Sequence, residues 1–224
     1  MTAVRTEGPS RWHDLTVALI GLATLLVCGA IAHSGRVGSL ERSAFRAVND
    51  RPEWLYRILW PFQQFGNLIV ALIATLAVAA WLRSWRLAAA AAAAVGLKLW
   101  LEQVVKSVVE RQRPGTSIGD VHLRGDVSAQ GLSFVSGHAV ITAAMAGLVA
   151  PCLPRRWRWI PWTLVVLNGL ARIYVGAHNP LDVIGGIGLG LVIAGVLNAA
   201  FGPARAHWQR VERDAPPAGL DPVA

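Results

Sequence analysis

The hydrophobic residues of this chain gather into long runs that polar segments separate. The runs cover Leu15–His33, Gly66–Leu82, Leu87–Val105, His138–Leu153, Trp157–Gly176 and Pro180–Phe201. A helix needs about 20 mainly apolar residues to cross the hydrocarbon core of a bilayer, and each run approaches that length. The pattern therefore predicts an all-α, polytopic membrane protein, in which residues 15–203 form one bundle of six transmembrane helices.

Polar and mixed segments flank and interrupt these runs. Residues 1–14 are predicted to be a cytoplasmic N-terminal tail, and residues 204–224, which include DAPPAGLDP, a disordered cytoplasmic C-terminal tail. Between Arg36 and Pro61, apolar residues recur at helical spacing with Trp and Arg among them. This spacing predicts one or two helices that lie in the membrane interface, with an ordinary structured loop as the alternative.

Composition supports the membrane class. The chain is 54% hydrophobic and only 15% charged, whereas soluble domains carry roughly 25% charged residues. The net charge is +8, but the arginines cluster beside apolar runs, as they do at membrane faces, so we do not expect a nucleic-acid partner. Cys28 and Cys152 both lie inside apolar runs, and we expect them to pack as small hydrophobic side chains.

The basic residues of the short loops predict the orientation. Arginine is dense in residues 83–86 and 154–158, which join consecutive runs. Such loops stay on the cytoplasmic side, together with both termini. This orientation places residues 106–137, the start of the fourth run and the turn at 177–180 at the extracytoplasmic face of the plasma membrane.

Ionisable and polar residues from separate stretches meet on that face. They are Lys106, Arg111, Arg113, Ser136, His138, Arg172, His178 and Asp182. Charged groups at membrane depth are costly, and their presence indicates function. Arginine forks and a lysine suit a phosphate, which Gly137 and the N-terminus of a following helix would let approach the backbone.

Two imidazoles beside a phosphate site indicate phosphoryl chemistry. One can attack phosphorus, and the other can protonate the leaving oxygen. Asp182 follows His178 by four residues and can meet it across one turn of a helix that begins at Pro180. The histidines lack further ligands at metal spacing, so we expect neither a metal nor another cofactor.

These residues resemble a known family signature. Lys106-x6-Arg113-Pro114, then Ser136-Gly137-His138, then Arg172-x5-His178-x3-Asp182 is similar to the three motifs of the type 2 phosphatidic acid phosphatase family. That family includes membrane lipid phosphatases and the related vanadium haloperoxidases.

The resemblance implies a role for each matching residue. His178 would be the nucleophile, His138 the general acid and Asp182 the group that orients His178. The residues implied in phosphate binding are Lys106, Arg113, Arg172, Ser136 and Gly137. Two positions depart from the family pattern: Val135 stands where proline is usual, and Ala171 stands where serine is usual. Neither departure removes a proposed catalytic group.

The sequence thus predicts a metal-independent lipid phosphatase of the plasma membrane that works through a phosphohistidine. A polyprenyl diphosphate, such as undecaprenyl diphosphate, is the preferred substrate. The alternatives are phosphatidylglycerol phosphate, phosphatidic acid, phosphotransfer to an alcohol, and phospholipid binding or transport without catalysis.

Other polar and small residues are expected to support this site. Lys98, Glu102 and Lys106 share one helix face, so Glu102 should pair with one of the two lysines. Glu110 and Arg111 are placed at the rim of the site. The stretch GGIGLG at 185–190 lies within an apolar run and is expected to permit close helix packing.

Overall fold

The computed structural model describes residues 11–201, and within that range the regular elements are all helical, as predicted. The helices are α1 (Arg11–Ala32), α2 (Ser39–Asn49), α3 (Leu55–Gln64), α4 (Leu68–Trp81), α5 (Trp85–Val109), α6 (Pro114–Ser117), α7 (Gly137–Val149), α8 (Trp159–Tyr174) and α9 (Pro180–Phe201). Short 3₁₀ turns, Ala150–Cys152 and Arg155–Trp157, connect α7 to α8. The predicted tails fall mostly outside the described residues, and α1 already begins at Arg11.

A helix covers each of the six apolar runs. By length and composition, α1, α5 and α9 can cross a membrane, and α3 and α4 together could supply a fourth crossing. The helix α7, even with the 3₁₀ turn that extends it to Cys152, and α8 are shorter. The membrane character of the bundle is therefore evident, while the count of six crossings stays a prediction.

The segment between the first two runs forms two helices, α2 and α3, so the prediction of helices there is confirmed. The axis bends by 63° between α3 and α4. At this bend Asn67 caps α4, because its side-chain oxygen accepts hydrogen bonds from the backbone N–H groups of Ile69 and Val70. The bend brings the end of α3 against α8, where Asn168 donates to the carbonyl oxygens of Phe62 and Gln63.

The centre of the bundle is α7, which is buried at every residue from Ala139 to Val149. Glycines let α9 pack directly against α7 on one side and against α1 on the other. A Cβ atom on Gly190 would lie 2.6 Å from the Val140 carbonyl oxygen, and one on Gly188 would lie 2.7 Å from that of Gly21. The expectation of close helix packing at residues 185–190 is confirmed.

The two ends of the bundle differ in chemistry. Exposed tryptophans gather where α4 meets α5 and where α7 meets α8; they are Trp81, Trp85, Trp157, Trp159 and Trp162. The arginine-rich loops lie at these same corners. The residues of the predicted phosphate site lie at the opposite end of α7, α8 and α9, as the sequence pattern required.

Substituting Gly190 by alanine should destabilise the bundle by about 1–3 kcal/mol, because the new methyl group would overlap backbone atoms of α7. The measurement is thermal unfolding of the purified protein in detergent. Gly96→Ala is the matched control, since a Cβ on this helical glycine of α5 has no neighbour within 4 Å. A Gly190→Ala protein as stable as Gly96→Ala would contradict the packing argument.

Candidate active site

The start of α9 explains where Asp182 lies. The helix begins at Pro180, as predicted, with Asn179 immediately before it. The backbone N–H of Asn179 donates to Oδ2 of Asp182 at 2.7 Å, in the manner of a capping box. Because the capping contact holds Asp182 at the N-terminus of α9, the carboxylate faces the turn that carries His178.

His178 and Asp182 approach each other, but a third side chain completes the contact. Nδ1 of His178 lies 3.9 Å from Oδ2 of Asp182, which is too long for a direct hydrogen bond. The hydroxyl of Ser133 lies 3.4 Å from Nδ1 and donates to Oδ2. Ser133 therefore links the carboxylate to the imidazole, a contact that the sequence did not suggest.

Arg111 lies at the centre of the site, so its predicted place at the rim is wrong. Its side chain is fully buried, and it donates to Asp182 Oδ1 at 3.1 Å and to both oxygens of Glu41 at 2.9 and 2.6 Å. Burial opposes the guanidinium charge, but the hydrogen bond to Glu41 and the charge of Asp182 outweigh it and raise the pKa of Arg111. The neighbouring Glu110 is exposed.

The beginning of α7 carries the second motif. Ser136 is its N-cap, and its backbone N–H donates to the carbonyl oxygen of Asp182 at 2.9 Å. The Ser136 hydroxyl is buried and has no hydrogen-bond partner among residues 11–201. His138 follows in the first turn of the helix, where it lies against Gly66. The N-terminus of α7 thus offers a free hydroxyl beside its first backbone N–H groups.

Gly137 makes room for a carboxylate from α5. A Cβ atom at Gly137 would lie 2.6 Å from both carboxylate oxygens of Glu102. Glu102 forms ion pairs with Lys98 and with Lys106, each at 2.6 Å, so both predicted partners bind it. Lys106 therefore lies beside the N-terminus of α7, with its charge shared between Glu102 and any anion that binds there.

Arg113 and Arg172 have a different environment from the other buried cations. Neither forms an ion pair within the described range, and the Nε atom of each is buried without a hydrogen-bond partner there. Arg172 donates one hydrogen bond, from Nη1 to Oε1 of Gln63 at 2.9 Å. These two guanidinium groups keep unused donors and uncompensated positive charge.

The positive charge acts on His178, which lies in the turn before α9. Burial disfavours the imidazolium, and Arg172 and Arg113 repel it, so the pKa of His178 falls well below its ordinary value. The side chain is therefore neutral at physiological pH. Since Nδ1 faces Ser133 and Asp182, a proton on Nδ1 leaves the lone pair on Nε2 for chemistry.

The predicted site residues thus gather at the N-termini of α7 and α9 and the adjoining ends of α5 and α8. Within residues 11–201, no three His, Cys, Asp or Glu side chains form a cluster that could hold a metal ion. The sequence did not single out Ser133, Glu41, Gln63 and Asn179. A signal existed only for Asn179, since an asparagine before Pro180 is a typical helix start.

Comparisons with known proteins agree with this arrangement. The model of the PAP2 superfamily matches residues 83–205. A decaprenylphosphoryl-5-phosphoribose phosphatase of Mycobacterium tuberculosis is 35% identical over 162 residues, which cover 70% of this chain and 85% of the relative. A phosphatidylglycerophosphatase B of Bacillus subtilis is 26% identical over 183 residues, which cover 75% and 86% of the two chains.

A solved structure shares the fold. The crystal structure of the transmembrane PAP2-type phosphatidylglycerolphosphate phosphatase from Bacillus subtilis superposes with a TM-score of 0.64 and 22% identity. The match covers 88% of this chain and 99% of that one. The family model and the curated relatives, which are named as phosphatases, identify the class as a membrane lipid phosphatase. This chain belongs to the PAP2 superfamily, as the three motifs implied.

Replacing Ser133 by alanine should lower kcat about 10- to 100-fold, because a hydrogen bond to a charged group contributes roughly 1.5–3 kcal/mol. The hydroxyl connects Asp182 to His178. The measurement is phosphate release under substrate saturation. Ser128→Ala, which removes an exposed hydroxyl from the same loop, is the control and should behave like wild type. Equal rates for the two variants would argue against the link.

Proposed function

We propose that this chain is a lipid phosphatase in which Arg113 and Arg172 hold the phosphate and His178 attacks it. The observation that carries this proposal is the pair of arginines that have no carboxylate partner within residues 11–201 and lie beside the two histidines. A phosphate would occupy their unused donors and balance their charge. Lys106, the Ser136 hydroxyl and the N–H groups at Gly137 supply further donors for the phosphate.

In the first step, Nε2 of His178 forms a bond to phosphorus while the bond from phosphorus to the leaving oxygen breaks. His138, which takes up a proton once the bound phosphate balances the charges of Arg172 and Arg113, gives that proton to the leaving oxygen. The positive charge that develops on His178 is stabilised through Ser133 and Asp182. The arginines stabilise the negative charge on the phosphoryl oxygens.

In the second step, water forms a bond to phosphorus and the bond to His178 breaks. His138, now neutral, accepts the proton of the water and returns to its starting state. The same two imidazoles thus serve both halves of the reaction, and every proton that leaves His138 returns to it. This cycle requires no cofactor.

An apolar cavity next to the site supports a lipid substrate. It lies between α4, α7 and α8, has a volume of about 230 Å³, and is lined by residues that include Phe65, Ala71, Thr142, Met145 and Leu153. Thr142 is one turn beyond His138, and its hydroxyl donates to the His138 carbonyl oxygen. We infer that the first part of the hydrocarbon tail lies in this cavity and the remainder in the bilayer.

We infer that the substrate is a prenyl-linked phosphate. Undecaprenyl diphosphate remains the first expectation from the sequence, and the name of the mycobacterial relative adds decaprenylphosphoryl-5-phosphoribose. Phosphatidylglycerol phosphate is the alternative that the name of the Bacillus relative favours.

With six crossings, the arginine-rich corners face the cytoplasm, and the site opens toward the extracytoplasmic leaflet of the plasma membrane.

Phosphate release should survive EDTA and disappear in His178→Ala, since the proposed nucleophile is a side chain. The assay offers undecaprenyl diphosphate, decaprenylphosphoryl-5-phosphoribose, phosphatidylglycerol phosphate and phosphatidic acid in detergent. His122→Ala removes an exposed histidine outside the site and is the matched control. Full activity in His178→Ala would refute the mechanism.

The same assay separates the alternatives. An added alcohol that becomes phosphorylated in place of water would indicate a phosphotransferase. Binding of these lipids without phosphate release by folded wild-type protein would favour the transport or binding alternative, and it would contradict the proposed function.

The pH profile tests the cations around His178. Burial and the charges of Arg172 and Arg113 keep the pKa of His178 below its ordinary value, so the neutral nucleophile persists as the pH falls. In Arg113→Gln the pKa of His178 should rise, and the acid limb of kcat should move to higher pH. Arg113→Lys retains the charge and should keep the limb near its wild-type position. The same limb in both variants would contradict this electrostatic coupling.

A further inference from the structure

Two charged residues connect the N-terminal helices to Asp182, and the proposed reaction does not yet use them. Glu41 lies in the first turn of α2, and Arg111 follows α5. The guanidinium binds both oxygens of Glu41, at 2.9 and 2.6 Å, and Oδ1 of Asp182 at 3.1 Å. Glu41 Oε1 also accepts a hydrogen bond from the backbone N–H of Leu181 at 3.0 Å.

The charges of this group do not cancel. One guanidinium lies between two carboxylates, so the three side chains together carry a charge of −1 when all are ionised. Arg111 and Asp182 are fully buried, and only 9% of the Glu41 side chain is exposed. Solvent therefore screens the group weakly, and its net charge acts on the neighbouring imidazole.

The position of Glu41 determines how strongly the negative charge of this group acts on His178. If Arg111 were the only charged group beside Asp182, its positive charge would neutralise the carboxylate. Asp182 would then stabilise an imidazolium at His178 only weakly. Glu41 takes the two-pronged hydrogen bond of the guanidinium and balances its charge. The negative charge of Asp182 then remains for the cation that forms when His178 is phosphorylated.

We propose that Glu41 is a positioning residue for catalysis: it acts as the counter-ion of Arg111 and so reserves the charge of Asp182 for His178. This inference rests on the proposed function, in which His178 is the nucleophile. In this proposal Glu41 has no part in binding the phosphate and acts through Arg111 and Asp182.

Few of the other described groups around Asp182 could balance the charge of Arg111 in place of Glu41. The described groups that face it or its two charged neighbours are the Ser133 hydroxyl and the backbone N–H of Asn179 from the loops, His178 itself, and the Cys28 thiol from α1. None of these carries a second negative charge at neutral pH. The balance of charge around Asp182 therefore depends on Glu41.

The test measures kcat and KM of Glu41→Gln, alone and combined with Arg111→Met. The single variant leaves Arg111 to neutralise Asp182, and kcat should fall about tenfold or more while KM stays within about threefold. The double variant Glu41→Gln/Arg111→Met returns the group to a charge of −1, because only Asp182 is ionised. Its kcat should exceed that of Glu41→Gln at least about threefold. A purely structural role predicts the reverse, with the double variant the less active of the two.

A matched control breaks a different pair in the same segment. Glu53, in the loop between α2 and α3, forms an ion pair with Arg124 at 2.9 Å. Glu53→Gln should retain wild-type kcat. Glu41→Asp keeps the charge on a shorter side chain and should keep kcat within about threefold; this variant decides the question if Glu41→Gln does not yield folded protein.

The outcomes separate the inference from the proposed function. If wild type releases phosphate and Asp182→Asn does not, the proposed function stands. The part assigned to Glu41 would be overturned if Glu41→Gln kept the wild-type kcat, or if Glu53→Gln or Glu41→Asp lost as much activity as Glu41→Gln. It would also be overturned if the double variant were no faster than Glu41→Gln. Inactive wild type, or an active His178→Ala, would overturn both.

Discussion

The direct packing of α9 against α7 is the contact on which both the core and the site depend. Glycines at 186 and 190 bring the two backbones together: a Cβ atom at Gly190 would lie 2.6 Å from the Val140 carbonyl oxygen, and one at Gly186 would lie 2.8 Å from that of Ser136, the N-cap of α7. At the upper end of the same contact, the backbone N–H of Ser136 donates to the carbonyl oxygen of Asp182. The two helices therefore begin at one level, and the residues around their N-termini, His138 and His178, are held by the same backbone interaction that builds the bundle.

Much of this architecture could be predicted from local pattern. Apolar runs of helical length, a proline at the start of α9 and short basic loops each report on the chain near them, and the described helices follow them closely. The 63° bend between α3 and α4 was not predicted. It depends on how the end of α3 packs against Asn168 of α8, and no local pattern encodes a contact between segments so far apart in the chain.

The candidate site likewise has one part that could be predicted from the sequence and another that could not. The residues of the three motifs are recognisable because their types and spacings repeat a known pattern, and their gathering follows once the helices are in place. The partners of the motif residues could not be predicted from the sequence. Arg111 is one arginine among several in its loop, and only the folded chain selects Glu41 from α2 and Asp182 from α9 as its neighbours. Ser133 is one of several loop serines, and its backbone pairing with Arg111 brings it to Asp182.

The helices α2 and α3 precede the part of the chain that matches the superfamily, yet they complete the surroundings of its buried arginines. Glu41 binds Arg111, and Gln63 accepts a hydrogen bond from Arg172. The matched residues 83–205 consequently do not themselves contain two of the acceptors that their buried arginines use. With another N-terminal half, Arg111 would keep its ion pair with Asp182 but lose the one with Glu41, and Arg172 would lose its hydrogen bond to Gln63. Removing one partner of a buried charged group costs several kcal/mol. An exchange of N-terminal halves between relatives is therefore expected to preserve stability only where the incoming half also places acceptors beside Arg111 and Arg172.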